Sequence, residues 1–113
     1  MIHRALTVCQ PFAWALMFGP KRVENRGWST SYRGPLAIHA GKSTAWLHCV
    51  DDFPAGLAVP SVFDFGAVLG FMDLVDIIRP EEVSPDRGNI TRQRRFWQTR
   101  RYRSLRSGLA TSR

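Results

Sequence analysis

The stretch "FGAVLGFMDLVDI", residues 65 to 77, constrains this chain more than any other. It is apolar at even and odd positions alike, and a strand whose side chains alternate between two faces carries that pattern when both faces are covered. It therefore predicts a core strand. Gly66 and Gly70 within it mark a bend or a close approach by other atoms. Asp73 and Asp76 interrupt the run well short of the roughly 20 apolar residues that a membrane span needs, so no membrane association is expected. At 113 residues and 44% hydrophobic, the chain suits one small domain that buries roughly 60 to 65% of its unfolded surface.

Shorter signals surround this strand. "RALTVC" is apolar and partly β-branched, as a strand is, and "QP" after it supplies the proline favoured at a helix start. In "PFAWALMFG" the side chains of Phe12, Ala15 and Leu16 share a helical face, with Gly19 placed as a C-cap. "KRVENR" reads as a strand leaving that cap. "PLAIHAG" alternates so that Leu36 and Ile38 point one way and Ala37 and His39 the other. Ser43 or Thr44 is placed to cap a second helix, "TAWLHCV", with Trp46, Leu47 and Val50 on one side. Strands interleaved with two short helices predict a mainly β domain with short helices (α+β), closed as a small barrel.

Charge divides the chain. The formal net charge is +7, yet residues 1 to 78 hold six basic and six acidic side chains, and residues 79 to 113 hold the other ten Lys+Arg against three acids. The imbalance belongs to the tail. "ITRQRRFWQTRRYRSLRSGLATSR" shows no sustained strand or helix period, which places the end of the ordered domain near Arg79 and makes 80 to 113 a basic tail, disordered or atypical. Arginine mixed with rings is the composition of sequence-tolerant RNA or single-stranded DNA binding. A solvated extension, and a chain end altered by a frame change or truncation, remain open beside it. Two cysteines outside any CxxC spacing, and an N-terminus without the apolar run of a signal peptide, indicate the cytoplasm.

"GPKRVENRGW", residues 19 to 28, concentrates charge. In a strand the side chains of Arg22, Glu24 and Arg26 share one face while Val23 and Asn25 take the other, with Lys21 at the entrance. The plain alternative is a solvated strand edge, charged against edge pairing. "RGW" and "YRGP" add arginines and rings, as sites for planar polar ligands do. His39 is the candidate for proton transfer by residue type, and a histidine that merely bonds a neighbour fits equally. Glu24 as a base and Lys21 as a phosphate ligand or proton donor complete the set.

Other chemistries fail on spacing. "HAGKS" lacks the glycine a phosphate loop needs five residues before Gly41, which leaves Lys42 as an exposed lysine or an anion contact near a helix start. His39, His48, Cys49 and Cys9 have no zinc-site spacing, and adjacent His48 and Cys49 would diverge on a helix. Neither metal nor cofactor is expected. Cys9 has no partner that identifies it as a nucleophile and reads as a core residue.

Residues 4 to 78 resemble the ASCH domain family, whose fold is similar to the PUA domain. Gln10, Pro11, Ala13 and Trp14 match its Gln-Pro-x-Ala-Trp element. Gly19, Lys21, Glu24, Asn25 and Arg26, followed by Trp28, match its glycine-x-lysine-x-x-glutamate-asparagine-arginine pattern. Tyr32, Arg33, Gly34 and Pro35 match the next turn, and His39, Ala40, Gly41 and Lys42 the strand end after it. The resemblance implies a small PUA-like β-barrel with a cleft beside the first helix that binds RNA or modified nucleobases. Small ASCH amidohydrolases that deacetylate N4-acetylcytidine carry a threonine three residues after the lysine, where this chain has Glu24.

The expected function is therefore a nucleic-acid, foremost RNA, or modified-nucleotide binding module. Trp14, Trp28 and Tyr32 would offer stacking surface, Lys21, Arg26, Arg33 and Lys42 would meet phosphate or base edges, and Gln10, Glu24, Asn25 and His39 would hydrogen-bond the ligand. The alternative is a small amidohydrolase acting on a modified nucleoside, in which Lys21 with Glu24 or His39 activates water. The sequence leaves the oligomeric state open.

Overall fold

A computed structural model describes residues 4–78 and 95–101. The elements, in chain order, are strand β1 (Arg4–Val8), helix α1 (Phe12–Met17), strands β2 (Val23–Arg26) and β3 (Gly34–Ala40), a 3-10 helix (Leu47–Asp52), and strands β4 (Ala67–Ile78) and β5 (Arg95–Arg101). The strands follow the hydrogen-bonded order β1-β3-β4-β5-β2. Strands dominate and both helices are short, which is the mainly β, PUA-like class the sequence predicts. Among the described residues no helix is long and apolar enough to cross a membrane.

The described residues fall into two compact units, one drawn from Met1–Lys21 and Leu36–Phe71, the other from Arg22–Pro35 and Met72–Arg113. In the first, β1 and β3 run parallel, with Leu6 opposite Ile38 and Thr7 opposite His39. Their inward side chains Leu6, Val8, Leu36 and Ile38 are buried with Ala13, Ala15 and Leu16 of α1. Each fully buried Leu, Ile or Val of this set contributes roughly 1.5 to 3 kcal/mol. Ala40 on the same face of β3 and Ala37 on the other are buried as well, and His39 alone of residues 36–40 stays half-exposed.

Gly19 follows α1 but does not take the left-handed conformation of a C-cap glycine. It is there for space: a Cβ at Gly19 would lie 3.0 Å from the Ala15 carbonyl oxygen and 3.1 Å from its Cα. Gly70 of β4 does take a positive φ, 154°, and a Cβ there would stand 2.6 Å from Met17 Cε. The close approach predicted at that glycine is with this methionine. The second helix departs from expectation. It is 3-10 in geometry, begins at Leu47 and receives no side-chain cap, while Ser43 Oγ accepts only the Ala45 amide at 3.2 Å. Trp46, assigned to its apolar side, is 50% exposed.

In the second unit, β5 lies antiparallel to both β2 and β4. The sequence shows no period in this arginine-rich stretch, yet Arg95–Arg101 is a regular strand whose Trp97 is 1% exposed. Thr99 is buried too, and its polar atoms are satisfied: its amide and its hydroxyl both donate to the Arg22 carbonyl, at 2.8 and 3.1 Å. Residues 80–94 and 102–113 of the expected tail lie outside the described residues. On β4, Met72 and Leu74 are buried, whereas Val68 and Val75 are exposed. The predicted two-sided burial therefore does not extend along that strand.

Candidate functional site

The charged stretch straddles the two units. Lys21 closes the first, its amide donating to the Ala15 carbonyl at 3.2 Å. Its ammonium stands 5.4 Å from the centroid of the Phe12 ring, within range of a cation–π attraction. Lys21 lines an apolar pocket of about 220 Å³ with Phe12, Ala15, Pro20, Phe53, Pro54 and Leu57.

Trp14, half-buried on α1, lies against two phenylalanines, stacked on Phe53 with centroids 6.3 Å apart and edge-on to Phe63 at 6.4 Å. With Gln10, Phe18, Val62, Phe63 and Asp64 it walls a second pocket of about 240 Å³. Gln10 is 1% exposed. Its Nε2 donates to the Asp64 carbonyl at 2.8 Å and its Oε1 accepts the Trp14 amide at 2.9 Å. Gln10, expected to meet the ligand, ties the helix start to the 60s loop and so fixes the position of Trp14.

In the second unit the predicted alternation of β2 holds. Glu24 and Arg26 share a face and form an ion pair of 2.9 Å, with side chains 12% and 23% exposed, while Asn25 is exposed on the other face. β2 ends the strand order, as the strand-edge alternative requires, but its charges are largely withdrawn from water. Trp28 exposes half its surface and meets Trp97 edge-on at 4.6 Å. Tyr32 donates its hydroxyl to the Pro35 carbonyl. Arg33 Nη1 donates to the carbonyls of Thr30 at 2.9 Å and Tyr32 at 2.8 Å.

His39 and Lys42 line neither of the first unit's pockets described above. His39 Nδ1 shares a hydrogen bond of 3.1 Å with Thr7 Oγ1, its register partner on β1. Lys42 is exposed and lays its stem over Gly66, where a Cβ would stand 3.1 Å from Lys42 Cε. His48 Nε2 and Cys49 Sγ, expected to diverge, lie 3.7 Å apart. Among the described residues no three His, Cys, Asp or Glu side chains gather as a metal site would require. Cys9 is half-buried rather than in the core.

Sequence reasoning did not single out Phe53, Phe63, Trp97 or Arg100. The two phenylalanines sit in a loop rich in proline and glycine without periodicity, and the alternation of Trp97 with Thr99 is hidden among arginines.

Comparison with known proteins covers more of the chain than the motifs do. The ASCH domain model matches residues 6–103, a span that takes in β5. Activating signal cointegrator 1 of Homo sapiens is 30% identical over an alignment of 96 residues that covers 78% of this chain and 16% of that protein. The protein of the same name from Mus musculus is 29% identical over 96 residues, with the same coverage. The chain thus corresponds to about 16% of the length of these relatives. With the Gln-Pro-x-Ala-Trp helix start, the lysine after α1 and the Glu-Asn-Arg strand in place, and a match across 6–103, this chain belongs to the ASCH domain family.

Proposed function

We propose that this chain is a nucleic-acid binding module, foremost for RNA or for a modified nucleotide, working in the cytoplasm. The observation that carries the reading is the Glu24–Arg26 pair, 2.9 Å apart with side chains 12% and 23% exposed. Withdrawing two charges from water costs several kcal/mol per ion in general, and stability alone gives little reason to keep such a pair. A carboxylate that accepts from an exocyclic amine, beside a planar guanidinium that donates to base edges, matches the recognition of a nucleobase. The half-exposed Trp28 supplies the kind of surface on which unpaired bases stack. Membership of the ASCH family supports the same reading.

The test is binding of a short single-stranded RNA and of cytidine nucleotides by Arg26→Ala and Glu24→Gln. Each variant is expected to lose about tenfold or more in affinity, corresponding to one charge-assisted hydrogen bond. Unchanged affinity in both would sink the assignment. The amidohydrolase reading has one observation in its favour, the place of Lys21 in the lining of an apolar pocket. For N4-acetylcytidine as the modified nucleoside, its test is release of cytidine above a Lys21→Ala control, and no such release would sink this version.

A further inference from the structure

A groove of about 450 Å³ in the second unit is lined by Arg33, Gly34, Asp73, Leu74, Val75 and Arg100. Its two cations come from different elements, Arg33 from the turn before β3 and Arg100 from β5. Arg33 is held in place. Nη1 gives its hydrogens to the Thr30 and Tyr32 carbonyls, which leaves the Nε–Nη2 edge, the fork that suits two phosphate oxygens, for other partners. Gly34 beside it has a φ of 120°, a conformation that glycine adopts without strain.

Asp73 lines the groove and Asp76 lies beside Arg33, and neither aspartate binds its arginine closely. Arg33 Nη2 is 3.6 Å from Asp76 Oδ1, and Arg100 Nε is 3.8 Å from Asp73 Oδ2. Both separations exceed the roughly 2.7 to 2.9 Å of a charge-assisted hydrogen bond. The two arginine side chains are 39% and 70% exposed, where an ion pair holds little. Asp76 Oδ1 also accepts the Ile77 amide at 2.8 Å, so this carboxylate is turned partly toward its own backbone. Val75 is the extra residue between Leu74, opposite Thr99, and Asp76, opposite Gln98. Such bulges redirect side chains next to sites.

We infer that this groove takes a phosphodiester of a nucleic-acid strand, clamped between Arg33 and Arg100. The inference rests on the nucleic-acid reading above and adds a backbone contact to it, separate from the Glu24–Arg26 pair. The ligand exchanges with Asp76 for the outer edge of Arg33, so the acid tunes affinity downward. The contact reads charge and not sequence.

The experiment uses the full chain and a fluorescent single-stranded RNA of about 10 nucleotides, with DNA of the same sequence as a second arm, between about 50 and 200 mM salt. Arg33→Gln and Arg100→Gln are each expected to weaken binding several-fold and to lower the salt slope by about one, equally for U-rich and A-rich strands and for both sugars. Asp76→Asn is expected to bind more tightly than Asp51→Asn, which removes the same charge from the 3-10 helix outside the groove; a damaged fold would not produce that gain. Wild-type slopes in both arginine variants, equal affinities for the two asparagine variants, or a loss confined to one base composition would each overturn the inference. So would a wild-type chain that binds neither strand. Arg26→Ala separates the two readings: a loss there with silent groove variants overturns the clamp alone, and the reverse leaves the clamp standing without the base-reading pair.

Discussion

The indole N–H of Trp97 donates to the Trp28 carbonyl at 3.1 Å, and the two rings meet edge to face with centroids 4.6 Å apart. This joins β5 to the turn that ends the charged stretch, 69 residues away in sequence. The arginine-rich segment around residue 97 is thus structural, with Trp97 1% exposed. Trp97→Ala is expected to cost about 3 to 5 kcal/mol. Trp97→Phe, which keeps a ring but leaves the Trp28 carbonyl without this donor, should cost about 1 to 3 kcal/mol. Urea denaturation measures both, and a wild-type midpoint for the alanine variant would contradict the role of β5.

Gln10 spans Asp64 and Trp14 from a fully buried position. Gln10→Ala removes the bonds to the Asp64 carbonyl and the Trp14 amide, at about 0.5 to 1.5 kcal/mol each. The same substitution frees the 60s loop from α1, so the indole fluorescence of Trp14 should also change. Thermal denaturation and emission spectra together check this, and an unaltered Tm would show that the amide bridge carries no weight.

Gly19 and Gly27 offer a matched comparison. A Cβ at Gly19 would press on the Ala15 backbone at 3.0 and 3.1 Å, whereas at Gly27 it would meet nothing within 4 Å. Gly19→Ala is expected to destabilise by about 1 to 3 kcal/mol through overpacking. Gly27→Ala should fall within about 0.5 kcal/mol of the wild type, as surface changes usually do. Equal effects at the two sites would mean that the contact after α1 relaxes without cost.

The Glu24–Arg26 pair predicts coupling. A double-mutant cycle of Glu24→Ala and Arg26→Ala in thermal denaturation should give an interaction of about 0.5 to 3 kcal/mol, the range for residues in direct contact. Additive effects would place the pair among surface ion pairs that hold nothing.

The elements visible in the sequence were those with local signals. The Gln10–Pro11 step, the β-branched β1 and the long β4 each carry their own pattern, and the Arg22-Glu24-Arg26 alternation correctly placed Glu24 beside Arg26. What was hidden depends on partners distant in the chain. Thr99 is buried because Arg22 offers it a carbonyl, and nothing in "RFWQTRR" announces that acceptor. Val75 is exposed because a register shift against β5 displaces it, which no run of apolar letters in β4 could reveal. The second helix misled for a local reason: "TAWLHCV" has helical spacing, but six residues without a side-chain cap settle into the tighter 3-10 turn.

The central proposal is that the Glu24–Arg26 pair with Trp28 is a ligand site, and an amide NMR titration of the labelled full chain with a short single-stranded RNA at two salt concentrations tests it most directly. The account predicts selective shifts at Glu24, Asn25, Arg26 and the Trp28 indole that persist at the higher salt. Shifts restricted to residues 80–94 and 102–113 and abolished by salt would contradict it, because they would reduce RNA binding to nonspecific contacts of the basic tail.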